Sequence, residues 1–260
     1  MHGIRQFIAR TVRSTLRFLH AMQRREYGRL SRMKTIIFAI AALAGAVCSA
    51  AELFNGRDLS GWTSVADHSA TGGYAAAEPT WFVADGAIRT TGTPFGYLRT
   101  KRADFADFKL TLQYRWWRGT PRPNSGVFVR LAAETGTFIP RCYENQLAPD
   151  SACSIFALGG SVVEGTAPRT PYNPADALSG IAAIPAKAPS AEKPAGEWNT
   201  LEITACGDEI VSRLNGVEMN RVKGVKTPKG AIALQSEGGA IEFRSIEVED
   251  AKPQAAAAAR

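Results

Sequence analysis

From residue 108 onward the chain alternates apolar and polar positions with a period of two. In "FKLTLQYRW" Leu110, Leu112, Tyr114 and Trp116 fall on one face, with Lys109, Thr111, Gln113 and Arg115 on the other. "NTLEITACG" repeats the pattern with Leu201, Ile203 and Ala205. Such alternation predicts half-buried β-strands, because successive side chains of a strand point to opposite sides. "EIVSRLNGVEM" predicts two strands joined by a tight turn at Asn215-Gly216, since both central residues of that turn need a positive φ. "GAIALQS" and "AIEFRSIEVE" add two more. No segment carries an apolar stripe of helical period, so about a dozen short strands predict a single all-β domain, an antiparallel sandwich or barrel. Residues 164–197 interrupt the pattern with Pro168, Pro171, Pro174, Pro185, Pro189 and Pro194, and predict a long ordered loop. The Ala-rich tail, residues 251–260, is expected to be disordered.

Two strand patterns are polar on one side. In "PNSGVFVR", Val127 and Val129 alternate against Asn124, Gly126, Phe128 and Arg130. In "RCYENQL", Cys142, Glu144 and Gln146 share a face. If these strands are neighbours, Asn124, Phe128, Arg130, Glu144 and Gln146 line one surface, with a gap at Gly126. Amides, a carboxylate and a cation around a shallow gap suit a polyhydroxylated ligand, which needs many directed hydrogen bonds. The plainer reading pairs Glu144 with Arg130 on a solvated sheet face, as opposite charges across strands often pair. Trp116 and Trp117 are adjacent and so face opposite ways, which leaves one of them free to form a stacking platform for a sugar ring. Trp62 in "LSGW" and Trp198 with Asn199 in "GEWN" read as structural, Trp62 as a core anchor, Trp198 closing a hydrophobic edge and Asn199 bonding a turn.

Charge and cysteine usage narrow the function. The formal net charge is +7, but of 31 Lys and Arg nine lie in residues 1–50, together with one of 24 acidic residues. The remainder carries 22 basic and 23 acidic residues, so nucleic acid is not an expected partner, since binding phosphates needs a concentrated basic surface. Starting at Met33, "MKTIIFAIAALAGAVCSAAE" has the basic start, apolar run and small residues of a secretory signal peptide, with cleavage expected near Ala50 or Ala51. The Arg-rich residues 1–32 read as an extension from a start placed too early, the true start being Met33; the alternative is an amphipathic targeting segment. Residues 1–50 are therefore assigned to the leader and 51–250 to the domain, with a periplasmic or secreted location and no membrane association beyond the signal peptide. After the leader there remain Cys142, Cys153 and Cys206, of which Cys142 and Cys153 could pair. His68 is the only histidine there, which leaves little material for a zinc site or a Ser-His-Asp triad.

"ELFNGRDLSGW", "NSGVFVR", "YENQL", "AGEWNTLEITACGDEIVSRLNG" and "GAIALQSEGGAIEFRSIEVE" occur in this order over residues 52–250. Together they resemble the 3-keto-disaccharide hydrolase domain family. The resemblance implies a concanavalin A-like jelly-roll sandwich and an exported protein acting on glycosides whose sugar is oxidised at C3. A C3 ketone acidifies the C2 proton, so a base can remove it and the C1 substituent departs by elimination, with or without later addition of water. Carried onto this sequence, the resemblance makes Glu144 the candidate base or metal ligand and Arg130 the stabiliser of developing negative charge. Asn124, Gln146, Gln235 and Glu237 would position hydroxyls, and Trp117 would stack on a sugar. It leaves the metal undetermined: no cofactor is assigned with certainty, and a divalent cation is an open option. The sequence departs from the family in placing Pro149 where an acid is common, with Asp150 one position later. The alternative function is a non-catalytic carbohydrate-binding module on the same fold.

Overall fold

The computed structural model describes residues 50–66, 81–121, 123–132, 139–173, 176, 178–226 and 229–251. The leader, His68 and the tail beyond residue 251 lie outside the described residues.

Fifteen strands form two antiparallel sheets, and no described residue is helical. The first sheet runs β13 (Val217–Val222), β12 (Glu209–Leu214), β11 (Asn199–Cys206), β6 (Phe108–Trp116), β15 (Ile241–Asp250), β4 (Ala87–Thr90), β3 (Trp81–Ala84), with β1 (Ala51–Glu52) pairing alongside β15. The second runs β10 (Ala182–Ile184), β9 (Ile155–Leu158), β8 (Cys142–Gln146), β7 (Gly126–Leu131), β14 (Ala231–Ser236), β5 (Gly96–Thr100), β2 (Trp62–Ala66).

The predicted parity of β6 and β11 holds throughout. Phe108, Leu110, Leu112, Tyr114 and Trp116 are buried, as are Leu201, Ile203 and Ala205, while the residues between them are half-exposed. These side chains meet Leu98, Val127, Val129, Tyr143, Ile155, Ile232 and Leu234 from the second sheet in one core cluster. Burial of that apolar area drives the sheets together. A polar link crosses the same interior, the Ser212 hydroxyl donating to the Asn145 side-chain oxygen. The turn between β12 and β13 is the predicted one, with φ of 51° at Asn215 and 84° at Gly216. Asn215 also ties loops together, since its side chain receives the Thr200 amide and donates to Ala191 O and to Asn199 Oδ1.

The second sheet is apolar on its other face as well. Tyr97, Phe128, Leu131, Cys142, Leu158, Ala231 and Ala233 form a separate cluster there. Cys142 belongs to this outer cluster and Cys153 to the inner core, and both are free thiols, so the pairing considered from their spacing does not form.

Arg130 corrects the sequence-based expectation. The pairing of β7 with β14 shifts register between Ala231 and Ala233, and Arg130 takes a φ of 51°. This bulge breaks strict alternation, so Phe128 and Leu131 share the outer face and Arg130 does not. Its guanidinium, 1% exposed, donates to Ala106 O at 3.2 and 3.0 Å and to Gly207 O at 2.8 Å, with Asp107 Oδ1 at 3.3 Å. Gly230 permits the bulge, because a Cβ there would lie 2.6 Å from Leu131 N. Arg130 thus braces the loops before β6 and after β11 instead of facing Glu144. Replacing it with alanine removes these bonds and empties the space that the buried side chain fills, so Arg130→Ala is expected to lose about 3 kcal/mol of stability in urea unfolding. Folded protein at low temperature should keep the ligand affinity and turnover of wild type; a selective loss of turnover with unchanged stability would restore a direct role.

Candidate functional site

The site is built where β5, β14, β7 and β8 end together on the outer face of the second sheet. Phe128 pairs with Glu144 and Gly126 with Gln146. Leu234 pairs with Val127, which brings Gln235 beside Gly126, and Tyr97 pairs with Gln235. One row across the face is therefore Tyr97, Gln235, Gly126, Gln146, and the next contains Ala233, Phe128 and Glu144. Arg99 of β5 shares this face, opposite Ala233 and three strand spacings, about 14 Å, from the Glu144 backbone.

Gly126 makes room for the carboxyl of Glu144. A Cβ at residue 126 would fall 2.8 Å from Glu144 Cγ and 2.9 Å from its Cδ. Glu144 is 4% exposed, and its Oε1 is buried without a hydrogen-bond partner among the described residues. Burial in this apolar setting, with the charge of Glu237 as a second cause, pushes its carboxyl well above the ordinary glutamate range. Glu237 follows β14 and is also raised by burial, but Gln235 and Asn124 hydrogen-bond to it and oppose the rise. With their NH₂ groups directed at Glu237, the side-chain oxygens of both amides are left buried and unpartnered. Three acceptor oxygens, from Glu144, Gln235 and Asn124, thus lack donors in one hollow.

The remaining residues expected at the site are placed apart from that cluster to different degrees. Gln146 shares the face, but its Oε1 receives the Leu147 and Ala148 amides at 2.9 and 3.0 Å and is committed to the turn. Trp116 is in the core, with its indole NH donating to Glu192. Trp117 is half-buried beside a cavity that Pro123 also lines, so it lies just past Asn124. Trp62 is a core residue whose indole NH donates to Leu53 O. Trp198 closes no apolar edge; its ring lies between Arg115 and Arg244, 4.5 and 3.9 Å from the two guanidinium carbons. Asn199 opens β11, and its Oδ1 takes the Lys193 amide of the preceding loop. Among the described residues no three His, Cys, Asp or Glu side chains gather at one point. Sequence reasoning missed Tyr97, which the parity of "GYLRT" would have shown, and Glu192, which comes from the long loop and leaves no periodic trace.

Comparison with known proteins agrees with this architecture. A putative glycosyl hydrolase from Parabacteroides distasonis superposes with a TM-score of 0.54 at 17% identity, over 79% of this chain and 95% of that one. Carbohydrate-binding module CBM66 from Bacillus subtilis gives 0.52 at 12% identity, over 73% and 96%. The metal-free carbohydrate recognition domain of Emp46p gives 0.50 at 12% identity, over 79% and 97%. No curated protein matches the chain. The fold is thus a concanavalin A-like sandwich. The chain belongs to the 3-keto-alpha-glucoside-1,2-lyase-like domain family, whose sequence model matches residues 49–249.

The coupling of the two carboxyls can be read directly. Removing the Glu237 charge relieves the repulsion that opposes ionisation of Glu144, so Glu237→Gln should lower the Glu144 pKa, measured by carbon NMR of its carboxyl. Gly126→Ala should displace that carboxyl from its hollow in a crystal structure, while a Glu144 resonance and position unaltered by both changes would contradict the arrangement.

Proposed function

We propose that the protein cleaves glycosides of sugars oxidised at C3, by removing the C2 proton and expelling the C1 substituent. The observation that carries this reading is a set of three unpartnered acceptor oxygens, one of them on Glu144 and two on amides that bond Glu237, with the two carboxyls in unequal environments. Sugar hydroxyls are the donors that such a hollow lacks, and membership of the family supports a keto-glycoside as the substrate.

The environments divide the work between the carboxyls in a way that differs from the expectation of Glu144 as base. Glu237, assisted by two amides, ionises first; Glu144, buried without donors, holds its proton. Groups whose environments separate their pKa values serve as base and acid. Glu237 takes the C2 proton, and the C2–H electrons enter the enolate of the C3 ketone. As the enolate collapses, the C1–O bond breaks and the departing oxygen takes the proton of Glu144. Protonated Glu237 and ionised Glu144 are then poised for the reverse roles, with Glu144 activating a water that adds at C1 while Glu237 returns a proton to C2. Without water, the 1,2-unsaturated keto sugar is released.

Glu237→Gln should lower kcat by about 10²–10⁴-fold, the usual contribution of a general base, with KM little changed. The base must be ionised and the acid protonated. The rising limb of kcat/KM therefore follows Glu237 and the falling limb follows Glu144, both above the ordinary glutamate range, and Glu144→Gln should abolish the falling limb. In deuterated water, re-addition should label C2 of the released keto sugar. An unlabelled sugar, with Glu237→Gln fully active, would point to displacement at C1.

A non-catalytic carbohydrate-binding module is the second reading, favoured by the commitment of Arg130 to backbone carbonyls away from the hollow. It requires binding of the keto-glycoside with no release of sugar by any form of the chain.

From the leader pattern after Met33 we also propose export to the periplasm or the exterior. N-terminal sequencing of the exported protein should begin near Ala51 or Glu52, and retention of residues 1–32 would refute this.

A further inference from the structure

We propose that a cavity beside the Glu144 hollow is a second carbohydrate subsite, which takes a neutral pyranose ring of the leaving group. The proposal rests on the keto-glycoside reading for its orientation, and on the cavity's own walls for its chemistry.

The cavity has a volume of about 440 Å³, within the range of small-molecule sites. Its walls come from the loop after β6, the turn after β8 and the Pro-rich loop before β11. They include Trp117, Thr120, Pro123, Asp150, Glu192 and Lys193. Pro123 is the residue before Asn124 of the hollow, and Asp150 follows the strand that bears Glu144. A Cβ on Gly239 would contact both Asn124 N and Trp116 Cζ3, so the two sites are separated by little more than one loop.

Glu192 is the fixed point. Its Oε1 receives the Tyr114 hydroxyl at 2.7 Å and the Trp116 indole NH at 3.0 Å, both from the inward row of β6. Two rigid donors on one oxygen orient the carboxyl and leave Oε2 without a described protein donor. Trp117 presents the complementary group, since its indole nitrogen is buried and has no partner among the described residues. One wall thus offers an aromatic ring and an NH, another an oriented acceptor, and the prolines limit motion of the loops that carry them. A pyranose matches each feature: its C–H face covers an indole, a hydroxyl oxygen accepts from Trp117, and a hydroxyl donates to Glu192. Asp150 and Glu192 against Lys193, whose ammonium donates to Trp198 O at 3.1 Å, leave no excess positive charge to hold a phosphate or a uronate.

The test uses two substrates that share the keto ring and differ in the leaving group: maltose oxidised at C3 of its non-reducing ring, and the methyl glycoside of 3-keto-glucose. Ala195 lines the cavity and is exposed, so Ala195→Trp fills the space without disturbing the core. It should raise KM for the keto-disaccharide by about tenfold or more and leave kcat/KM for the methyl glycoside within about twofold. Equal effects on both substrates, or none on either, would overturn the subsite.

Binding separates failure of this proposal from failure of the catalytic one. Titration of the full chain with unoxidised maltose should shift the Trp117 indole NH resonance in wild type and in Glu144→Gln, but not in Ala195→Trp. That result supports the subsite even if no keto-glycoside is turned over, whereas an unmoved Trp117 resonance in wild type overturns it.

Discussion

A carboxyl group buried without a donor is the constraint on which the candidate site depends. Leaving a buried polar atom unpaired costs about 1–3 kcal/mol, and burying a charge costs far more. Burial beside the apolar outer cluster around Phe128 and Cys142 raises the Glu144 pKa well above the ordinary glutamate range, which favours the protonated form and avoids the larger cost. The same constraint explains Gly126, whose missing side chain leaves the space that the carboxyl occupies beside β7. It also explains why Asn124 and Gln235 turn their NH₂ groups to Glu237. If Glu144 holds the proton, Glu237 is where negative charge can settle, and amide donors are placed there to receive it. Because Glu144 and Gln235 lie on strands of a packed sheet, their spacing is fixed before any ligand arrives.

How much of this was legible in the sequence follows from where the period of two holds. It holds along β6, β11 and β8, so the core row from Leu110 to Trp116, the inward Ile203 and the shared face of Glu144 and Gln146 could all be read from alternation. It fails at the β7 bulge. Alternation put Arg130 beside Phe128, but one residue with a positive φ turned it to Ala106 and Gly207, and nothing in "GVFVR" announces that. The expected polar surface was also too broad, because much of the outer face of the second sheet is an apolar cluster around Phe128, Leu131 and Cys142. Distinguishing these requires knowing which loops cover the sheet. Glu192 lies in a loop without periodicity, so its meeting with Tyr114 and Trp116 is set by tertiary packing alone.

The displacement of Arg130 has a chemical consequence. With the guanidinium beside the hollow, Glu144 would be held as a carboxylate, since an opposite charge nearby favours the ionised form. The hollow would then hold a paired anion, able to position hydroxyls but a weak acid and a weakened base. With Arg130 taken up by backbone carbonyls, burial acts on the Glu144 carboxyl unopposed by a cation, and the charge of Glu237 adds to the rise of its pKa. A bulge that serves the stability of the loops thereby also keeps a cation away from the Glu144 carboxyl.

The Glu144 cluster and the cavity beside Trp117 share that logic of position. Strand ends and their loops are where backbone groups and long side chains can converge without breaking sheet hydrogen bonds, so sites gather there on rigid scaffolds. In this chain Tyr114 and Trp116 belong to the core row of β6, yet their polar tips emerge at its end and fix Glu192. Asn124 and Gln235 do the same for Glu237 at the ends of neighbouring strands. Each carboxyl is thus oriented by residues whose bodies are locked in the fold. A sugar reaching both would find its hydroxyl partners already placed, and the entropy lost in ordering them has been met by folding rather than by binding.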